Sequence, residues 1–209
     1  DGDQDHFRYL PEYHYGEADC VSGAKLTERT LIHMEIYTLN QYLHDVFGQK
    51  LYKIALDGGF TCPNRDGTTD TRGCIFCSGA GSGEFAGDST MSITQQIEKG
   101  KERLAGKMKD GRYIAYFQAF TNTYAPVEKL RALYREAINH EDIAVMSVAT
   151  RPDCLPDEVL DLLCECNQIK PVWVELGLQT IHAGTAAYIR RGYPLSVYDE
   201  AVKRLKASG

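Results

Sequence analysis

The stretch Leu56–Phe85, LDGGFTCPNRDGTTDTRGCIFCSGAGSGEF, carries three of the chain's seven cysteines, Cys62, Cys74 and Cys77, in the spacing C-x11-C-x2-C. The apolar run before it, Leu51 to Leu56, reads as a short strand closed by Gly58-Gly59. A helix signal begins at Ser92, so the cysteines fall on a long loop at the carboxyl end of a strand. In α/β proteins that is where ligands and chemistry collect. Three thiolates so placed can hold a metal, and the number three matters. A structural zinc site closes with four ligands, yet the loop has no His, and the next Cys is Cys154. An iron–sulfur cluster on three cysteines would keep one iron open to a small molecule. The spacing also permits a zinc loop with a distant fourth ligand, a redox disulfide, or unrelated buried cysteines.

Working outward, strands are expected at Leu51–Leu56, Tyr113–Gln118, Ile143–Val148 and Val172–Leu176. Helices are expected from Leu31 to Phe47, from Ser92 or Thr94 to about Lys109, over Pro126–Asn139 and Pro156–Asn167, near Ala183–Ile189, and over Ser196–Ala207. Strand–helix alternation at this pitch builds a parallel sheet through right-handed crossovers. Four strands cannot close a barrel, so residues 31–209 are expected to form the front part of a longer one, with the C-terminal strands and domain absent. Residues 1–30 are polar, punctuated by Pro11, Gly16 and Gly23, and read as an irregular extension. Their Tyr9, Tyr13, His14 and Tyr15 suit either base stacking or the covering of apolar surface.

Composition sets the class. With 209 residues, 43% of them apolar, the chain can bury a full core as one domain. A net charge of −6 argues against a generally basic, nucleic-acid-coating surface while leaving room for a local groove. There is no apolar run of membrane-spanning length and no secretory signal pattern. Seven cysteines make no disulfide ladder, so the reducing cytoplasm is the expected compartment and no membrane partner is expected.

In a parallel α/β barrel the polar residues just past each strand share one mouth. Here they are Cys62, Cys74 and Cys77 after the first strand, and Gln118, Thr121, Asn122 and Thr123 after the second. Thr150, Arg151 and Asp153 follow the third strand, and the fourth contributes Glu175 and Gln179. This mouth suits a ligand with carboxylate, amine, ribose and adenine parts. Arg151 can pair bidentately with a carboxylate, and Phe76 can meet a base. Taken alone, Arg151 reads as the partner of Asp153 or Glu175. Glu175, between the apolar Val174 and Leu176, needs a partner if buried. Cys154, Cys164 and Cys166 read as core or surface thiols, and His182 as a turn residue.

Taken together, GFTCPNRDG…GCIFC, YFQAFTNTYAP, ATRPDCLPDEV and VELGLQTI resemble the radical SAM superfamily. More narrowly, they resemble the YhcC/YtqA-like family, relatives of the elongator catalytic-subunit radical SAM domain. The likeness covers roughly residues 36 to 207. It implies a partial (βα)6 TIM-like barrel of the radical SAM type, of which about four βα units lie in this chain. It also implies a [4Fe–4S] cluster on Cys62, Cys74 and Cys77, with S-adenosylmethionine (SAM) chelating the open iron. Reductive cleavage of SAM would then yield a 5′-deoxyadenosyl radical that abstracts hydrogen from the substrate.

By the same resemblance, Phe76 lies by the adenine, and Thr150, Arg151, Glu175 and Gln179 belong to the SAM or substrate pocket. Gln118, Thr121 and Asn122 stand where relatives carry a glycine-rich segment near the methionine amino group, a departure from the pattern. The implied partners are an electron donor such as flavodoxin or ferredoxin and a tRNA whose wobble uridine is converted from carboxymethylaminomethyl to aminomethyl. Arg190-Arg191 and the Lys203, Arg204, Lys206 helix face are either phosphate contacts or solvated surface. A radical enzyme acting on a metabolite or protein side chain, and a zinc-stabilised binding module without chemistry, are the competing classes.

Overall fold

Four short runs rich in β-branched and aromatic residues pair as strands: β1 Tyr52–Leu56, β2 Tyr113–Phe117, β3 Ile143–Thr150 and β4 Val172–Leu176. The computed structural model describes residues 36–107 and 111–209, of which Tyr37 onward forms one compact unit. Its sheet is entirely parallel, in the order β1-β2-β3-β4. Each parallel step needs a crossover. These are α2 Ile93–Leu104, α3 Val127–Ile138 and α4 Asp157–Asn167, with α5 Ala183–Tyr188 and α6 Leu195–Ala207 following β4. A mixed α/β fold with this sheet is the expected partial barrel.

Local chemistry sets the helix ends. Of the two cap candidates for α2, Ser92 is the one used. Its side chain accepts from the Gln95 amide while the Gln95 side chain accepts from the Ser92 amide. α2 lies so close to β1 that a Cβ at Gly100 would fall 2.4 Å from Ile54, so any larger side chain would force the layers apart. α1 spans Leu39–Phe47, with Thr38 as its cap and Gly48 in the left-handed conformation as its stop. Two helix bounds are shorter than expected: the first helix starts at Leu39 rather than Leu31, because Thr38 is extended and caps it, and α2 stops at Leu104 rather than near Lys109, where residues 105–107 turn away. The expectations for residues 1–30 lie outside the described residues.

Two apolar clusters flank the sheet. The larger, including Leu56, Ile97, Phe117, Tyr134, Met146 and Leu162, fills the space between the strands and α2, α3 and α4. The smaller packs Leu43, Tyr42 and Phe47 of α1 against Leu51, Ile114, Ala144, Val145 and Trp173. α1 thus plugs the amino ends of the strands, leaving polar inner-face side chains to gather toward their carboxyl ends.

Two expectations are corrected. β3 runs two residues further than Val148, because Ala149 and Thr150 pair with Glu175 and Leu176 of β4. β4 is half-buried along its whole length, including Val174 and Leu176, because it forms an edge of the sheet.

Candidate functional site at the carboxyl ends of the strands

The loop after β1 folds back on itself. The amides of Arg65 and Asp66 donate to the Cys62 carbonyl, those of Thr69 and Asp70 donate to the Pro63 carbonyl, and the Gly73 amide donates to the Asn64 carbonyl. This returns the chain to the start of the loop, and Cys74 and Cys77 then share a tight turn closed by the Cys77 amide on the Cys74 carbonyl. The three cysteines, separated by up to fifteen positions, therefore line one cavity of about 310 Å³. All three are unpaired and half-buried, which disposes of a disulfide among them in this structure. Burial pushes the Cys74 thiol above its ordinary value, and Cys77 and Cys62 push the same way; the Asn64 amide pulls it back. A thiol held up in this way ionises best beside a cation.

Of the other expected residues, Phe76 comes from the cysteine loop itself, and the rest come from the ends of the other strands. Phe76, Gln118, Thr121, Thr150, Arg151, Glu175 and Gln179 all line the cavity. Asn122 does not. It is fully buried, and its side-chain nitrogen donates to the Ala149 carbonyl at 2.8 Å, while its backbone carbonyl accepts from the Tyr134 hydroxyl. Asn122 ties the exit of β2 to β3 and so positions Thr121 rather than touching a ligand. Arg151 meets Asp153 through two hydrogen bonds, at 2.9 and 2.6 Å. Burial opposes its charge, but Asp153 outweighs burial and holds the guanidinium well above its ordinary value. The Asp153 pairing expected for Arg151 is thus present, and the residue still reaches the cavity.

Glu175 is not paired with Arg151. Its carboxylate accepts from Lys53 at 2.5 Å, Ser147 at 2.9 Å and Tyr116 at 3.0 Å. These four residues come from all four strands and form a polar layer on the inner face. Burial raises the Glu175 carboxyl, but the three donors outweigh it and the net direction is downward. Because its folded-state value lies below the unfolded one of about 4.3, this contribution to stability is complete above that pH. It is lost as pH falls through the lower, folded value. The urea midpoint of wild-type protein should therefore fall more steeply between pH 5 and 3 than that of Glu175→Gln (about these limits for carboxylates). Parallel curves would show that the layer contributes nothing of this kind.

Several lining residues were not anticipated: Arg65, Ser82, Tyr116, Phe120, Arg191 and Tyr193. Tyr116 was legible, since period-two alternation places it two residues before Gln118 on the same face. The others arrive from loops. Ser82, Phe120 and Gln179 adopt φ of 66°, 62° and 64°, and Arg190 beside the cavity adopts 56°. These are all the non-glycine left-handed residues among those described, and strain of this kind gathers at sites held rigidly by their surroundings.

Arg191, read as phosphate contact or solvated surface, is neither. It is 3% exposed and donates to the carbonyls of Leu178, Thr180 and Tyr193. Arg204 pairs with Asp157 at 2.6 Å. Cys154 and Cys166 are buried thiols, and burial lifts them to about 12 and about 11. His182 stands at the turn that opens α5.

Away from the cavity, Glu98, His140 and Asp142 bring ligand-type atoms within 4.8 Å of one another. Lys101 already sits among them, 2.8 Å from Glu98 and 2.5 Å from Asp142, and supplies the balancing charge. Among the described residues no helix is long and apolar enough to cross a membrane.

The profile of the radical SAM superfamily matches residues 70–209, two thirds of the chain and all of the sheet beyond β1. The chain belongs to the radical SAM superfamily. The match takes in Cys74 and Cys77, and Cys62 precedes it. This radical SAM chain is 53% identical over 173 residues to the uncharacterized protein YtqA of Bacillus subtilis, covering 83% of this chain and 54% of that protein. It is 45% identical over 166 residues to protein YhcC of Escherichia coli K12, covering 78% and 52%. It is 35% identical over 179 residues to the uncharacterized protein MJ0486 of Methanocaldococcus jannaschii, covering 82% and 54%. The chain spans about half the length of the curated relatives it matches.

Proposed function

We propose that the protein is a radical SAM enzyme in which Cys62, Cys74 and Cys77 hold a [4Fe–4S] cluster and the strand-end cavity binds SAM, and that it modifies the wobble uridine of tRNA. The observation carrying the first part is the composition of one cavity wall. It offers three free thiols and, among the described residues, no fourth cysteine and no histidine in the lining. A zinc-stabilised module would need that fourth ligand, whereas an iron–sulfur cluster meant to bind a cofactor needs it missing. When bound, such a cluster supplies the electron that splits the sulfonium of SAM into methionine and a 5′-deoxyadenosyl radical, which takes a hydrogen atom from the substrate.

The chain's own residues bind, orient and exclude. Arg151, kept charged by Asp153, is set to meet a carboxylate, with its guanidinium 5.0 Å from the centre of the Tyr193 ring. Glu175 and Gln179 offer acceptors and donors for ribose hydroxyls, and Phe76, half-exposed at the rim, offers a face for adenine. The fully buried apolar layer behind β2 and β3 keeps bulk water from the cavity floor.

The tRNA reading rests on the likeness to the elongator catalytic domain, and it makes the substrate a splayed base of an anticodon loop. Protein purified without oxygen is expected to be brown, to contain iron and sulfide in equal amounts, and to release 5′-deoxyadenosine from SAM on reduction. A colourless protein containing zinc would sink the enzyme reading in favour of a binding module. Nucleosides from tRNA of cells lacking the protein should lose the aminomethyl form at the wobble uridine. An unchanged profile would leave the radical chemistry intact and point to a metabolite or protein substrate instead.

A further inference from the structure

Asn64 is 1% exposed, and it stands two residues after the first cysteine. Its side-chain amide nitrogen donates to the Arg190 carbonyl at 2.7 Å and lies 3.3 Å from the Arg191 carbonyl. The same nitrogen lies 3.1 Å from Sγ of Cys74. Its two hydrogens are therefore directed one at the carbonyl pair and one at the sulfur. The orientation of the amide is dictated by this setting. Turned over, its oxygen would face the two carbonyl oxygens of Arg190 and Arg191, neither of them a donor, with only the weak Cys74 S–H beside it. The price of the observed orientation is visible, because Oδ1 is buried without a partner.

Among the described residues no other side-chain donor lies within hydrogen-bonding distance of that sulfur. The Arg190 carbonyl also faces Cys74, 3.4 Å from Sγ, a contact a thiol tolerates and a thiolate does not. The Asn64 hydrogen offsets it. The Arg190–Arg191 segment is itself held against the cysteine loop. The Ile75 amide donates to the Ile189 carbonyl, and Arg151 donates to the Arg191 carbonyl at 3.1 Å. Gly192, at φ +85°, completes the fit; a Cβ there would lie 2.6 Å from Asn64 Oδ1 and would push the amide away.

We infer that Asn64 is a positioning residue for the cysteine ligands: its amide N–H bonds Sγ of Cys74, holds that sulfur against the Arg190–Arg191 turn, and raises the reduction potential of a cluster bound there. The inference rests on the cluster reading above. Reduction adds negative charge, part of which falls on the sulfurs, and a donor aimed at a sulfur stabilises the reduced state. Loss of a hydrogen bond to a charged group should shift the reduction equilibrium about tenfold, about 59 mV for one electron.

The test is an EPR-monitored redox titration, without SAM, of anaerobically reconstituted wild type, Asn64→Ala, Asn64→Asp and Gly192→Ala, with iron content and apo-protein melting measured alongside. The potential is expected to fall by about this amount in Asn64→Ala and in Gly192→Ala, and further in Asn64→Asp, which exchanges the donor for a carboxylate. Unchanged potentials in variants carrying full iron overturn the role of Asn64 and leave the cluster standing. Wild type that binds no iron overturns the cluster reading itself. Should Asn64→Ala bind no iron, Gly192→Ala, which keeps every ligand and the asparagine, decides. Iron lost from all variants at an unchanged apo melting temperature supports the holding of Cys74, whereas iron lost together with the fold reduces Asn64 to a structural residue and refutes the assignment.

Discussion

Cys74→Ala is expected to give a folded, colourless protein whose iron content and 5′-deoxyadenosine formation fall to background. Cys74 lies on a loop outside both apolar clusters and is only half-buried. Its loss should therefore cost about 1 kcal/mol, the usual worth of the one hydrogen bond from Asn64, and the apo protein should still melt as a folded domain. The chemistry has no such margin. With three thiolates for one cluster, removing one leaves two, and among the described residues no cysteine or histidine elsewhere in the cavity lining can substitute. Cys164→Ala is the matched control. That thiol lies on α4 and donates to the Ser208 carbonyl, remote from the cavity lining, and its loss should leave iron content unchanged. Full SAM cleavage by Cys74→Ala would falsify the assignment of the three cysteines.

The second large effect is on stability. Phe117→Ala should lower the unfolding free energy by about 3–5 kcal/mol, the usual cost of truncating a buried aromatic. Phe117 ends β2, is fully buried, and its ring meets Tyr134 at a centroid distance of 5.2 Å, tilted by 59°. Truncation opens a void between β2 and α3 that neither element can close, since the pairing of β2 with β1 and β3 fixes one side. For a domain of this size each kcal/mol is worth about 2–4 °C in melting temperature, so the loss should be plain by calorimetry. It should also reach the site. Phe117 immediately precedes Gln118, and Tyr134 holds the Asn122 carbonyl, so the segment delivering Gln118 and Thr121 loses its backing. SAM affinity should fall in parallel. A shift below about 1 kcal/mol, the cost of an exposed change, would mean that the β2–α3 contact is not packed as described.

Much of this was legible in the residues. Strand positions, and the helix ends set by cap residues such as Ser92 and Gly48, came through within a few residues, because long periodic runs and caps encode them locally, whereas the first helix starts eight residues later than expected, at Leu39. The cysteine spacing and the strand-end polar residues carried the family and most of the cavity lining. Asn122 misled for a physical reason: a polar residue just past a strand can point at a ligand or back at a neighbouring backbone. Only the Ala149 carbonyl, supplied by a different strand, decides which. Glu175 likewise needed a partner, but its partners, Lys53, Tyr116 and Ser147, sit on three other strands.

The division follows the range of the forces. By itself the chain's order of residues determined the alternating α/β elements, the parallel sheet they must build, and a trio of thiols on one loop, since these depend on propensity and on near neighbours. Tertiary structure alone decided which side chains face one another: that Arg191 lies buried under carbonyls, that Glu175 meets Lys53 rather than Arg151, and that Asn64 reaches the Arg190 carbonyl. Such contacts join positions up to more than a hundred residues apart, and only the closing of the sheet and its loops brings them within hydrogen-bonding distance.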